Sequence, residues 1–191
     1  MTQLYITDCT PLCDPEIIAQ LLPHLDAHRQ NKIFALQSTQ KKAQSVAAGL
    51  LLSHVFGTEV TYRYTEKGKP YLDDLSHHFS ISHSQQWVAL AVSETNIGLD
   101  LQANAPIRPA VLRRCFTQEE QNYVGEDAER FAQLWTRKEA YSKYTVAVLA
   151  VQLSTHIPEA PNCTGHYADT VYCIFGDRDV EITTRNVKDL L

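Results

Sequence analysis

No stretch of this 191-residue chain is apolar for long enough to span a bilayer. The first ten residues, MTQLYITDCT, also lack the basic start and the long apolar run of a secretory signal. The formal net charge is -5, and lysine and arginine form no stripe that could bind nucleic acid by releasing counterions. We therefore expect a soluble, cytoplasmic protein whose partners are neither membranes nor nucleic acids.

The sequence also lacks the cysteine pattern of a disulfide framework, because its five cysteines are odd in number and scattered. Reduced thiols fit a cytosolic protein. The hydrophobic content of 44% and the charged content of 20% are those of an ordinary globular protein and argue against intrinsic disorder. A chain of this length can bury a sizeable core as one domain or as two small ones.

Hydrophobic spacing in the first half predicts two helices before any substantial strand. Apolar residues recur every three or four positions over residues 15–25 and, more strongly, over residues 43–55. Gly57 is placed to end the second helix. Residues 60–64 then alternate as in a strand, and residues 67–70 have the composition of a turn.

Three short strands are predicted next, and the polar residues 93–96 suit a hairpin turn between the last two of them. These strands cover residues 79–82, 87–92 and 97–101.

In the second half, the segment Thr117-Gln118-Glu119-Glu120 has the form of a capping box, which starts a helix, and residues 128–144 predict a longer one. Strands are predicted over residues 151–154, 171–175 and 180–183, with a loop containing Pro158, Pro161 and Gly165 between the first two. Because each half contains helix followed by strands, we expect an α+β fold of two lobes, residues 1–105 and 106–191.

Two acidic residues are candidates for chemistry, and the first is Asp100. Strand alternation over residues 97–102 places Leu99 and Leu101 on one face and Gly98, Asp100 and Gln102 on the other. An acid beside a glycine near a strand end suits a hard cation that prefers oxygen ligands. The alternative is a solvated outer face of an antiparallel sheet.

The second candidate, Glu139, follows Trp135 by four residues and Phe131 by eight, so it shares their inward-facing side of a helix. A buried carboxylate requires a partner, which could be a metal ion, a lysine or a reacting hydroxyl group. The alternative is a simple ion pair with Lys143 one turn later, worth about 0.3–0.5 kcal/mol.

Five segments taken in order resemble the signatures of the 4'-phosphopantetheinyl transferases, specifically the larger, pseudo-dimeric type that includes the surfactin-synthetase-activating enzymes. No segment is specific alone, but the order and spacing of all five together are. The segments are Gly68-Lys69-Pro70, residues 79–84 (FSISHS), 98–101 (GLDL), 116–120 (FTQEE) and 135–140 (WTRKEA).

This resemblance implies a pseudo-twofold fold of two similar α+β lobes with the active site between them. The implied enzyme uses Mg²⁺ and transfers the 4'-phosphopantetheine group of coenzyme A to a serine of an apo acyl or peptidyl carrier protein. It would release 3',5'-ADP and act as a monomer. Such phosphoryl transfer depends mainly on positioning and on neutralising charge, which a cation and lysines do well.

The resemblance also implies individual roles. Asp100 and Glu139 would bind Mg²⁺, and Glu139 would also be the base for the carrier serine. Lys143 would stabilise charge on the pyrophosphate and Lys69 would support the phosphates. Ser82 and His83 would contact the 3'-phosphoadenosine end of coenzyme A, and we take Glu139, Lys143 and His83 as the catalytic residues.

Upstream, Arg29 and Lys32 lie where the family carries basic residues for the 3'-phosphate, although a solvated helix end would show the same spacing. The chain departs from the family at Gln102, which replaces a third acidic metal ligand by a neutral amide. It departs again at residues 144–149, where the family has a glycine-containing turn.

Two other functions remain open on the sequence. The departures from the family are compatible with a relative that binds coenzyme A or a carrier protein without turnover. Separately, Cys9, Cys13, His24 and His28 follow the ligand order of a zinc finger, but with an inner gap that is short for one.

Overall fold

The computed structural model describes residues 1–58, 60–66, 68–103, 106–145, 157–158 and 160–190. Helices and strands are mixed along the chain, as expected. Within these described ranges, no helix is both long and apolar enough to cross a membrane.

Six α-helices occur in the described part of the chain. They are α1 (Pro15–Leu21), α2 (Ala27–Ala35), α3 (Thr39–Phe56), α4 (Pro109–Cys115), α5 (Gln118–Val124) and α6 (Ala128–Thr145). Short 3₁₀ turns lie at Thr10–Leu12, Leu22–His24 and Val187–Leu190.

The strands form three separate sheets, with the orders β4-β5-β1-β9, β2-β3 and β6-β8-β7. All neighbouring strands are antiparallel except β1 and β9, which are parallel. The strands are β1 (Thr2–Asp8), β2 (Tyr62–Tyr64), β3 (Pro70–Leu72), β4 (His78–Ser84), β5 (Trp87–Ser93), β6 (Gly98–Ala103), β7 (Asn162–Tyr167), β8 (Thr170–Phe175) and β9 (Val180–Thr184).

The main core lies between the four-stranded sheet and α3. Every residue of α3 from Ala43 to Leu52 is buried. The helix packs on β5 on one side and on α1 and α2 on others, so polar residues such as Gln44 are buried together with the apolar stripe. The predicted helix over residues 43–55 and its end at Gly57, which has a φ of 87°, are confirmed.

The expectation that helices precede the strands is wrong, because β1 opens the chain and occupies an inner position in the four-stranded sheet. Leu4 and Ile6 are fully buried in it. Burial alternates from Thr2 to Ile6 but not at Thr7, which is also fully buried, and the partly apolar Tyr5 on the opposite face further weakens the period-2 signal in the sequence. The helices α2 and α4 were also not predicted.

The predicted hairpin around residues 93–96 is wrong. Strand β5 turns back instead on β4 through Gln85 and Gln86, with Gln85 at a φ of 49°, and β6 pairs with β8. The predicted loop around Gly165 is also partly wrong, since Asn162–Tyr167 forms the strand β7. The predicted strands over residues 171–175 and 180–183 are confirmed, whereas residues 151–154 lie outside the described residues.

Serine side chains explain why β6 does not need β5 as a neighbour. The hydroxyl oxygens of Ser80, Ser82 and Ser84 on β4 accept hydrogen bonds from backbone N–H groups of β6. These donors belong to Leu99, Leu101 and Ala103, at 2.9, 3.1 and 2.8 Å. The serines thus satisfy one edge of β6 while β8 satisfies the other, which joins the two larger sheets.

The capping box is confirmed at the start of α5. The Thr117 hydroxyl accepts from the Glu120 N–H, and the Glu120 carboxylate accepts from the Thr117 N–H. The same carboxylate lies 2.9 Å from the ammonium group of Lys138, which is buried and sits over the Phe116 ring. Glu120 therefore joins α5 to α6 through a desolvated ion pair.

We expect Glu120→Gln to lower the free energy of unfolding by about 3 kcal/mol, because it removes the charge that faces the buried Lys138. Glutamine retains the capping-box geometry, so the loss reports the ion pair. Urea unfolding measures the change. The matched control is Glu119→Gln on the exposed neighbouring residue, with an expected change within about 0.5 kcal/mol. Equal effects of the two substitutions would contradict the prediction.

Candidate active site

Asp100 lies at the centre of β6, where it is 3% exposed. Its Oδ1 accepts hydrogen bonds from the Ser82 hydroxyl and from the Lys143 ammonium group, each at 2.8 Å. Its Oδ2 is buried without a hydrogen-bond partner among the described residues. The alternative of a solvated outer strand face is therefore wrong, because α6 covers this face of β6.

Gly98 permits that covering. A β-carbon at this position would lie 2.2 Å from the carbonyl oxygen of Ala140 and 2.4 Å from the backbone nitrogen of Tyr144. Both distances are far below a van der Waals contact, so only glycine lets the backbone of α6 approach the strand this closely. As a result, two of the predicted site residues, Glu139 and Lys143 of α6, lie beside Asp100.

Glu139 shares the site with a second carboxylate. Burial and the negative charge of Asp100 raise the pKa of Glu139 to about 7, although the charges of Lys143 and Arg108 act to lower it. The ammonium group of Lys143 contacts Asp100 rather than forming the simple helical pair with Glu139. A cation between these two carboxyl groups would relieve the repulsion between them.

Gln102, the third predicted metal ligand, lies on β6 two residues beyond Asp100 and is half-buried. Its amide nitrogen donates a hydrogen bond to the Ala103 carbonyl at 3.2 Å, so the amide oxygen is its remaining polar atom. Over the described ranges, histidine, cysteine, aspartate and glutamate side chains form no cluster of three or more that could hold a metal ion.

A pocket of about 470 Å³ is lined by residues of α2, α3, β4 and the turn before β3, and by Lys143 of α6. Its lining residues in the described part of the chain include no aspartate or glutamate. Lys143 lines the pocket and also contacts Asp100, so it connects the two features. The cationic lining residues are Arg29, Lys32, Lys41, Lys69 and Lys143. In a chain with a net charge of -5, this concentration of positive charge is local to the pocket.

Arg29 and Lys32 line the pocket from α2, where their three-residue spacing places them on one face of the helix. Arg29 is 6% exposed, and its Nη1 donates to the Ser45 carbonyl at 3.2 Å while its Nε lies 3.6 Å from Asp26. Partial burial and the charge of Arg29 lower the pKa of Lys32. Extra positive charge is therefore costly here unless an anion accompanies it.

Lys69 enters the pocket from the turn between β2 and β3. Its ammonium group donates to the carbonyl oxygens of Ile97 and Lys143, at 3.1 and 2.9 Å. Burial and the nearby charge of Lys143 lower the pKa of Lys69 to about 8. Lys69 therefore combines a structural contact with a position in the pocket wall.

The two predicted contacts from β4 differ in position. His83 lines the pocket, and partial burial together with the charges of Lys143 and Lys32 lowers its pKa, so the imidazole is neutral near pH 7. Ser82 is buried behind it, and its hydroxyl donates to Asp100 and accepts from Lys143. Successive strand residues point to opposite faces, which separates the two.

Four residues near the site were not predicted. Lys41 adds a cation to the pocket from the first turn of α3. Acidic residues are usual in the first turn of a helix, so a lysine there could have indicated an anion-binding site from the sequence. His28 stacks on Tyr64 in the pocket wall with ring centroids 3.7 Å apart. The guanidinium group of Arg108 lies 5.3 Å from the centre of the Trp135 ring, and nothing in the local sequence indicated that contact.

The zinc-finger alternative receives no support from the surroundings of its candidate ligands. Cys9 is fully buried in the main hydrophobic core. The Cys13 thiol donates to the Cys9 carbonyl at 3.8 Å, and His28 is stacked on Tyr64.

In protein stripped of divalent ions, the contribution of Glu139 to stability should fall as the pH rises from about 4.5 to about 7, because folded Glu139 holds its proton more tightly than the unfolded chain does. Glu139→Gln cannot ionise, so the variant should be more stable than the native protein at pH 8, by up to about 3 kcal/mol, and similar to it near pH 4. Urea unfolding at several pH values measures this. Glu126→Gln, on an exposed residue, is the control. A pH dependence unchanged by Glu139→Gln would contradict the prediction.

Comparison with known proteins supports the motif assignment. Residues 96–180 match the family model of the 4'-phosphopantetheinyl transferase superfamily. The chain is 34% identical over 103 residues to the 4'-phosphopantetheinyl transferase psf-1 of Bacillus pumilus, an alignment that covers 51% of this chain and 44% of the relative. It is 31% identical over 104 residues to the 4'-phosphopantetheinyl transferase Sfp of Bacillus subtilis (strain 168), covering 51% of this chain and 46% of the relative.

A third relative, the 4'-phosphopantetheinyl transferase gsp of Aneurinibacillus migulanus, is 34% identical over 89 residues, with 44% of this chain and 37% of the relative covered. This chain thus spans less than half of the length of the curated relatives that it matches. The resemblance to the 4'-phosphopantetheinyl transferase superfamily that the five motifs carry is confirmed, over residues 96–180 by the family model and over about half of the chain by the relatives.

Proposed function

We propose that this chain transfers the 4'-phosphopantetheine group of coenzyme A to a serine of an apo acyl or peptidyl carrier protein and releases 3',5'-ADP. The observation that carries the proposal is the position of Lys143, which lines the basic pocket and contacts the buried Asp100. A polyanion in the pocket would thereby bring a phosphate to the carboxylate pair.

The charges of the pocket match coenzyme A, which carries a 3'-phosphate and a pyrophosphate. Arg29 and Lys32, on one side of the pocket, would hold the 3'-phosphate, and Lys69 and Lys143 would face the pyrophosphate. His83 would contact the 3'-phosphoadenosine end as a neutral imidazole. The Ser82 hydroxyl donates a hydrogen bond to Asp100. We propose that Ser82 also supports binding of the 3'-phosphoadenosine end, because it lies on β4 next to His83.

The site draws on both halves of the chain, and we propose that it lies between two lobes, residues 1–105 and 106–191, which the strand pairs β1–β9 and β6–β8 join across their boundary. The pocket is lined mainly by the first half, whereas Glu139 and Lys143 come from α6 in the second half. One chain supplies all of these residues, so we propose that it acts as a monomer.

The carboxylates fit a divalent cation such as Mg²⁺. The Oδ2 of Asp100 is buried without a hydrogen-bond partner among the described residues, and the repulsion between Asp100 and Glu139 would be relieved by a positive charge. Asp100, Glu139 and the amide oxygen of Gln102 would hold the ion. When bound, Mg²⁺ would neutralise negative charge on the pyrophosphate oxygens.

In the proposed reaction the carrier serine oxygen attacks the β-phosphorus of coenzyme A. The serine proton passes to Glu139, directly or through a water molecule, and the ionised carboxylate is the acceptor. The bond from that phosphorus to the oxygen of the 3',5'-ADP portion breaks, and the leaving group takes the electron pair. The ammonium group of Lys143 offsets the charge that develops on it.

The transfer is tested by mass spectrometry of apo carrier proteins incubated with coenzyme A, Mg²⁺ and this protein. We expect a gain of one phosphopantetheine group on the carrier serine. Glu139→Gln should lower the rate by about 10²-fold or more because it removes the base, whereas the exposed-site variant Glu119→Gln should match the native protein. No modification of any acyl or peptidyl carrier tried would refute the proposal.

Gln102 motivates one competing function, a protein that binds coenzyme A without turnover. We expect Gln102→Glu to tighten Mg²⁺ in the presence of coenzyme A by roughly tenfold, equivalent to 1.4 kcal/mol, because a third carboxylate adds ligand charge. Isothermal titration calorimetry measures this. The control, Gln118→Glu, adds the same charge at an exposed position on α5. If coenzyme A binding is independent of Mg²⁺ in both the native protein and Gln102→Glu, the competing function, binding without turnover, is favoured.

A further inference from the structure

The C-terminal end of α6, which carries Lys143, is held by two side chains from elsewhere in the fold. Helices commonly end at a glycine that satisfies the last free carbonyl groups, but residues 144–149 contain none. Here the Lys143 carbonyl accepts from the Lys69 ammonium group at 2.9 Å, and the Tyr144 carbonyl accepts from the Asn96 amide at 2.8 Å.

We propose that Lys69 and Asn96 are positioning residues, a clamp on the end of α6 that holds Lys143 in register with Asp100 for transfer. The proposal rests on the proposed function. Asn96 was not among the residues predicted from the sequence, and Lys69 was predicted only to support the phosphates.

Lys69 joins three parts of the chain at one atom. Its ammonium group bonds to Lys143 on α6 and to Ile97 just before β6, while its backbone lies in the turn before β3. That turn is closed by hydrogen bonds in both directions between Thr65 and Lys69. An ammonium group has three donors, so two hold the clamp and the third is available to the pocket that Lys69 lines.

Asn96 supplies the second point of attachment. It stands in the turn between β5 and β6, two residues before the glycine on which α6 rests. With Lys69 bonded to the preceding carbonyl, two successive carbonyl groups of the last turn are fixed to the segment that leads into β6. The positive charge of Lys69 also interacts favourably with the negative, C-terminal end of the helix dipole.

The clamp acts on Lys143 because the carbonyl of that residue is bonded to the clamp while its side chain is bonded to the carboxylate site. Its carbonyl is bonded to Lys69, while its side chain reaches Asp100 at 2.8 Å and Ser82 at 3.1 Å. A displacement of the last turn by about 1 Å would break the side-chain contacts, and misplacements of that size can cost up to about 10²-fold in rate.

The test compares Asn96→Ala and Lys69→Met with native protein, Lys69→Arg and Glu94→Ala. Asn96 lies outside the pocket lining, so its variant separates positioning from ligand contact. Glu94→Ala, at an exposed residue of the same turn, is the matched control, and Lys69→Arg keeps a cationic donor. Hydrogen exchange of the amides at 142–145, coenzyme A affinity and kcat for carrier modification are measured on the full chain.

For Asn96→Ala we expect exchange at 142–145 to rise about fivefold, the loss of one hydrogen bond, and kcat to fall about five- to tenfold with the Kd for coenzyme A unchanged. Lys69→Met should show larger changes in exchange and kcat, and Lys69→Arg should recover part of the kcat. Glu94→Ala should match the native protein.

Native exchange at 142–145 in both Asn96→Ala and Lys69→Met would overturn the clamp, and faster exchange with native kcat in Asn96→Ala would overturn its role in positioning Lys143. If the native protein modifies no carrier, the proposed function fails, but the exchange measurement still decides whether the clamp holds α6.

Discussion

The direct contact between α6 and β6 is the constraint on which the site depends. At Gly98 the two backbones approach so closely that the space for a β-carbon is occupied by the Ala140 carbonyl and the Tyr144 nitrogen. This contact brings Glu139 and Lys143 from a helix to Asp100 on a strand, although they lie about forty residues apart in sequence. A larger residue at position 98 would push α6 away from β6 and so move Glu139 and Lys143 away from Asp100. The serine side chains on β4 support the other edge of β6, so the strand is held on three sides.

The distribution of charge around this contact determines which ligands the site favours. The chain as a whole is acidic, yet the pocket gathers cations, and one of them, Lys143, contacts the buried Asp100. Burial, and after it the neighbouring like charge, disfavours the charged forms of both residues, as the raised pKa of Glu139 and the lowered pKa of Lys69 indicate. An anionic ligand and a divalent cation would together relieve both. Electrostatic strain of this kind is typical of sites that bind charged substrates.

Sequence patterns predicted the parts of the fold in which local signals dominate. The long helices α3 and α6 and the capping box at Thr117 follow from side-chain spacing and hydrogen bonding within a few residues. Strand partners did not follow, because pairing depends on residues distant in sequence. The polar turn after β5 resembles a hairpin, but β6 pairs with β8, which comes about seventy residues later. The strand β1 was missed since its central position in a sheet arises from β5 and β9, both far along the chain.

The sequence by itself determined the family resemblance and the residue types of the site. Short motifs sufficed for this because phosphate, metal and proton chemistry require particular side chains at fixed local spacings. Only the tertiary structure decided how those residues meet. It placed Lys143 on Asp100, turned Ser82 away from His83, and brought Lys41 to the pocket. The physical reason is that burial, and with it the cost of each charge, depends on which elements pack together, and that packing is not a local property of the chain.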